Sequence, residues 1–143
     1  MARQSLDELR AAVRGKGLRA TTSRIAVLEL LRASDSPMSH GDVADRLANQ
    51  AWDRATIYRN LTDLAEAGLV RRTDVGDHVW RFEAKTDDHE SVAHPHFVCT
   101  ECGIVECLPQ IELAMRTTRT KPPRAVKQRQ VEVHVRGLCD ACQ

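Results

Sequence analysis

Three local patterns predict an α+β chain made of two small units. Apolar residues recur at three- and four-residue spacing through the first 66 positions. Apolar and polar residues then alternate on both sides of a Gly-containing turn between Leu69 and Glu83. Beyond residue 94, short runs of β-type composition ("FVC", "IVECL", "VEVHV") accompany two C-x-x-C pairs. The expected division is residues 1–83, a hinge over 84–93, and residues 94–143. A length of 143 residues with 42% hydrophobic content suits one ordinary domain or two small ones.

The first element is "SLDELRAAVRG", where Leu6, Leu9, Ala12 and Val13 share one helical face and Gly15 is a plausible stop. "TTSRIAVLELLRAS" repeats the pattern with Ile25, Leu28 and Leu31. In "SHGDVADRLANQ", Ser39 is a good N-cap and Asp42 follows three residues later, close to a capping box. Asp53 then caps "RATIYRNLTDLAEAG", whose Ile57, Leu61 and Leu64 face inward and whose Gly68 suits a left-handed C-terminal position. "LVRRTDVGDHVWRFE" reads as a β-hairpin. Helix, helix, turn, helix and hairpin together make a winged helix-turn-helix.

Charge sharpens what this half could bind. Residues 1–83 carry thirteen Lys or Arg against twelve Asp or Glu, so net charge alone argues for no partner. Distribution argues more: residues 1–24 hold six basic residues and two acids. The candidate recognition helix shows Arg54, Thr56, Tyr58 and Arg59 away from its apolar stripe, a mix able to contact phosphates and base edges. The competing reading is an ordinary solvated helix face.

Five cysteines without an apolar leader point to metal rather than a disulfide framework. The start "MARQSLDELRAAVRG" has acids where a signal peptide has its apolar segment, and no run approaches the ~20 apolar residues of a membrane span, so a cytoplasmic protein is expected. Cys99 with Cys102 and Cys139 with Cys142 form two knuckles, separated by enough chain to fold back and bring four thiolates to one point. That is a standard structural site for Zn2+, and Gly103 helps the first turn. A thioredoxin-like redox pair is the alternative, but no βαβ pattern surrounds either knuckle. Cys107 is left over.

The segments "GLRATTSRIAVLELL", "DRATIYRNLTDLAEAGLV", "RFE" and "HPHFVCTECG", followed by the closing C-x-x-C, resemble the ferric uptake regulator (Fur) family of metal-dependent repressors over almost the whole chain. The resemblance implies an N-terminal winged helix on a double-stranded DNA operator, a short hinge, and a C-terminal α/β domain that makes a homodimer. It also implies structural Zn2+ on the four cysteines and a second site at the hinge for a regulatory divalent metal. The family's DNA contacts carry over to Arg19, Thr56, Tyr58 and Arg59.

For the regulatory site, the resemblance matches Glu83, His94 and His96 to family ligands. A position usually acidic in relatives is Cys107 here, either a thiolate ligand or a small packed strand residue. Where relatives place a His before the third helix this chain has Pro37; His40, three residues later, is a displaced candidate or simply a polar helix-start residue. Imidazole and carboxylate suit Fe2+, Mn2+, Zn2+ or Ni2+, and a thiolate tilts preference toward Zn2+. Glu83 stands where peroxide-sensing relatives tend to carry Asp, which disfavours that branch. A further family site is expected to be lost, since Ala93 and Pro95 replace its His-x-Asp pattern although Glu112 matches one of its acids.

The remaining readings are plainer. His134 is expected to be a solvated residue on the polar face of the last strand, His78 and His89 to be exposed, a helix to span about 110–119, and the basic stretch around Pro122 and Pro123 to be a loop. Two rival functions remain. A zinc hydrolase would use the His-x-His with Glu83 as base but leaves the recognition-helix motif unexplained. A constitutive zinc-containing DNA-binding regulator would use the hinge site only structurally.

Overall fold

The computed structural model describes residues 5–85, 95–108, 111, 112, 114, 116, 119, 121–128 and 130–143. The chain divides into two compact units, Met1–Thr86 and Asp87–Gln143. Both combine helix and sheet, so the protein is α+β.

In the first unit, α1 (Leu6–Gly15) starts at a capping box between Ser5 and Glu8, and Gly17 makes the left-handed exit with φ 78°. Helix α2 (Thr22–Ala33) is capped by Thr21. A two-residue strand, β1 (Met38–Ser39), precedes α3 (His40–Arg46); it is too short to leave a period in the sequence. The capping box expected at α3 forms, with Ser39 accepting from the Asp42 N–H while the Asp42 carboxylate accepts from the Ser39 N–H. Asp53 caps α4 (Arg54–Glu66), and Gly68 takes the left-handed conformation with φ 79°. Strands β2 (Val70–Asp74) and β3 (Trp80–Ala84) form the hairpin, and the sheet order is β1-β3-β2.

The apolar stripes of α1, α2 and α4 meet over this sheet. Leu9, Val13, Leu28, Ile57, Leu61, Leu64 and Phe82 are almost fully enclosed, and burial of such side chains is the main force holding a small domain together. Two polar links cross the interior. Asn60 donates to the Ser23 hydroxyl at 2.9 Å, and Arg24 pairs with Asp63 at 2.6 Å. Both tie α2 to α4.

The second unit is built on β4 (His96–Cys99), β5 (Val105–Cys107) and β6 (His134–Gly137), in the order β5-β4-β6. Strands β4 and β5 are antiparallel, whereas β4 and β6 are parallel with His96 opposite His134 and Cys99 opposite Gly137. The stretch expected to be a loop after Pro123 instead contains a one-turn helix, α5 (Arg124–Lys127). Proline does not oppose this, because its fixed φ suits the start of a helix. The helix expected over about 110–119 is not found at its described residues, Ile111, Glu112, Ala114, Arg116 and Arg119, none of which is helical; its other positions lie outside the described residues, as do most of the 84–93 hinge and His89. Among the described residues, no helix is long and apolar enough to cross a membrane.

Candidate metal and nucleic-acid sites

Parallel pairing of β4 and β6 is what brings the two knuckles together. Each C-x-x-C follows the end of one of these strands, and because the strands run the same way their ends lie side by side. Thr100 donates its N–H to the Gly137 carbonyl at 2.9 Å across this end. The first knuckle turns by a Gly103 N–H to Cys99 carbonyl bond of 3.1 Å, with Gly103 at φ 73°, where a Cβ would be strained. The second turns by a Cys142 N–H to Cys139 carbonyl bond of 2.9 Å.

The four sulfurs of Cys99, Cys102, Cys139 and Cys142 lie within 4.8 Å of one another, with Cys102 and Cys139 3.7 Å apart. Zinc–sulfur bonds of ~2.3 Å at tetrahedral angles separate two sulfurs by about 3.8 Å, whereas a disulfide brings them to about 2.05 Å. The donor set therefore fits zinc. Backbone N–H groups of Cys102 and Cys139 point at Cys99 and lower its pKa from 9.0 to about 6. Cys142 is pushed up to about 12 by hydrogen bonds with the Cys139 and Cys102 sulfurs. Four sulfurs this close, one of them with its pKa drawn down, form a cluster in which a cation can replace the thiol protons.

At the other end of β4 lies His96, 2% exposed, opposite Cys107. A ring nitrogen of His96 and the Cys107 sulfur lie within 4.8 Å, close enough to share one ion after small side-chain adjustment. His94 lies outside the described residues. Glu83, half-buried on β3, belongs to the first unit. His40 is in the first unit too, but the antiparallel register that pairs Met38 with Phe82 carries Pro37 toward Glu83 and His40 away from it. His40 instead packs its ring on Tyr58, centroids 5.4 Å apart, with Nε2 2.8 Å from the Arg54 carbonyl oxygen.

The residues of the candidate recognition helix are polar and largely at the surface. Tyr58 and Arg59 are exposed on α4 and Thr56 is half-buried. Arg19 is exposed just before α2, and its carbonyl accepts from Arg24 Nη1 at 2.7 Å. Because Arg24 also holds Asp63, the segment carrying Arg19 is fixed to α4.

Comparison with known proteins decides the family. The sequence pattern of the ferric uptake regulator family matches residues 15–136. The chain belongs to the ferric uptake regulator family. Fur-family proteins are metal-responsive regulators, and among them the ferric uptake regulation protein of Bordetella parapertussis is 31% identical over 136 residues, covering 92% of this chain and 94% of that protein. The peroxide-responsive repressor PerR of Staphylococcus aureus is 30% identical over 142 residues, covering 96% and 91%. The crystal structure of the Vibrio cholerae ferric uptake regulator superposes with a TM-score of 0.65 at 25% identity, covering 91% of this chain and 98% of that one. This Fur-family chain thus has the α+β organisation of its relatives.

Residue-level reading missed one neighbour. His134, expected to be solvated, is half-buried on β6 with its ring 6.3 Å from that of His96. The signal was available in the alternation of "VEVHV", which puts Glu132 and His134 on one face. What the sequence withheld was the parallel register that sets this face beside His96.

Proposed function

We propose that this protein is a cytoplasmic, homodimeric, metal-dependent repressor that binds operator DNA through α4 and senses a divalent cation with Glu83, His94, His96 and Cys107. The observation that carries this reading is the position of His96 and Cys107 as a donor pair on the same short sheet that ends in the four-cysteine cluster. One end of β4 is a closed tetrathiolate, suited to structure; the other is an incomplete donor set, suited to exchange. Zinc on Cys99, Cys102, Cys139 and Cys142 would supply stability that a sheet of short strands lacks.

The coupling follows from which unit each donor belongs to. Glu83 terminates the wing of the DNA-binding unit, whereas His94, His96 and Cys107 belong to the second unit. A cation bound by both restrains their relative orientation. In a two-fold dimer that orientation sets the separation of two recognition helices, which must match half-sites about 34 Å apart. Metal then strengthens DNA binding, and DNA strengthens metal binding by the same factor. Tyr58, Arg59 and Arg19 supply the base and phosphate contacts, with Thr56 beside them, so binding weakens steeply with salt.

The test is selection of binding sites from a random DNA pool with Mn2+, Fe2+, Zn2+ or Ni2+ present, then titration of the selected DNA with the metal present or chelated. Metal-dependent affinity supports the reading. Equal affinity without metal favours constitutive binding, and loss of affinity after peroxide treatment of the Fe2+ form favours the branch of the peroxide-responsive relative.

A further inference from the structure

The register of the second sheet lines up three donor side chains in one row. His96 pairs with Cys107 on one side and with His134 on the other. Directly paired residues project from the same face of a sheet, so a thiol and two imidazoles face the same space. The His96 and Cys107 donors are within 4.8 Å, and the His96 and His134 rings stand 6.3 Å apart at 62°. Metal–nitrogen bonds of ~2.0–2.1 Å at a tetrahedral angle set two imidazole centroids on one ion about 5.2 Å apart, so the His134 ring must approach His96 by about 1 Å to complete such a site. A rotamer change at His134 would carry its nitrogen toward the space that His96 and Cys107 share. Nε2 of His134 is buried with no hydrogen-bond partner among the described residues, and the nearest carboxylate oxygen, on Glu132, is 3.7 Å away. At that spacing no hydrogen bond to Nε2 fixes the ring's orientation. With Glu132 drawn onto Nε2, Nδ1 would be the nitrogen left for the metal, the carboxylate then orienting the imidazole as carboxylates commonly do around metal-ligating histidines.

We propose that His134 is a further ligand of the regulatory metal, forming with His96 and Cys107 a three-donor site held by the second unit's own sheet. The inference rests on the reading of His96 and Cys107 as ligands. Two imidazoles and a thiolate select Zn2+ over Mn2+ or Fe2+, because sulfur is the soft donor. Three donors from one sheet leave one tetrahedral position for Glu83. Capture of the ion by the second unit and engagement of Glu83 then become separable events, and only the second couples metal to DNA.

The experiment uses the full chain with its tightly held zinc in place. A chromophoric chelator competes for a second equivalent of Zn2+ or Mn2+, and Co2+ serves as the spectroscopic probe. In H134Q, Zn2+ affinity at the second site should fall by at least about 10–100-fold, the loss seen on disturbing even an outer-shell partner, with a much smaller change for Mn2+. H134C should restore Zn2+ affinity and add thiolate-to-cobalt charge-transfer intensity, a rescue that a merely structural role would not give. Wild-type Zn2+ affinity and an unchanged Co2+ spectrum in H134Q would overturn the assignment of His134. If H134Q folds poorly, the H134C spectrum decides alone, and no added charge transfer counts against the proposal. Wild-type affinity in H96A and C107S as well would mean that the underlying hinge site is misplaced.

Discussion

Nε2 of His40 lies 2.8 Å from the carbonyl oxygen of Arg54, joining the first residue of α3 to the first turn of α4. The same ring packs edge-on against Tyr58. His40 is thereby placed to hold the recognition helix and its exposed tyrosine. As a positioning residue, His40→Ala should weaken operator affinity several-fold and leave the affinity for regulatory metal unchanged. Parallel DNA and metal titrations check this; a large loss of metal affinity would return His40 to the ligand set.

Cys99→Ser or Cys142→Ser should lose the tightly held zinc and destabilise the second unit. Three thiolates do not close the tetrahedron, and metal binding free energy is folding free energy in such a site. Metal content after dialysis against a chelator, with thermal melting, measures both. Full zinc with an unchanged melting temperature in either variant would contradict the four-thiolate assignment.

How much of this was legible in advance varied with the range of the forces. The caps at Ser39 and Asp53 and the left-handed turn at Gly68 are local chemistry, and each was readable from a few residues. The four-cysteine cluster was readable because two knuckles have few other reasons to exist. The surroundings of His40 and His134 were not, since they depend on pairings between distant segments: the β1 to β3 register sets Pro37 rather than His40 beside Glu83, and the β4 to β6 register sets His134 beside His96. The one-turn helix at Arg124 was masked by prolines that break a helix interior but favour its start.

Tyr58→Ala and Arg59→Ala should each reduce operator affinity about 10-fold or more, with zinc content and stability unchanged, because both side chains are exposed on α4. Leu61→Ala is the contrasting control. Its side chain is fully buried, and truncation should cost about 2–5 kcal/mol of stability through the cavity it leaves. Denaturant melts and DNA titrations on the three variants separate contact from fold. Wild-type DNA affinity in both surface variants would mean that α4 is not the reading helix.

Asp53 gives the start of α4 a pH dependence. The Thr56 side chain and backbone N–H hydrogen-bond its carboxylate and lower its pKa below 3.8. A lowered folded-state pKa means that the cap's contribution is complete above 3.8 and is lost as pH falls through the lower, folded value. Asp53→Asn keeps a capping oxygen without the titration. The stability difference between wild type and Asp53→Asn should therefore be constant from pH 5 to 8 and change only under acid conditions below 3.8. A difference that moves between pH 6 and 8 would contradict this cap assignment.

The coupling of metal to DNA is tested most directly by operator binding of His96→Ala, titrated with Zn2+ or Mn2+ present and with metal chelated. His96 is the most enclosed of the described regulatory donors and adjoins no cysteine of the tetrathiolate. The variant should keep one tightly held zinc per chain, fold normally, and bind operator with the same weak affinity whether or not metal is added. A metal-stimulated gain in affinity equal to that of the wild type would contradict the account.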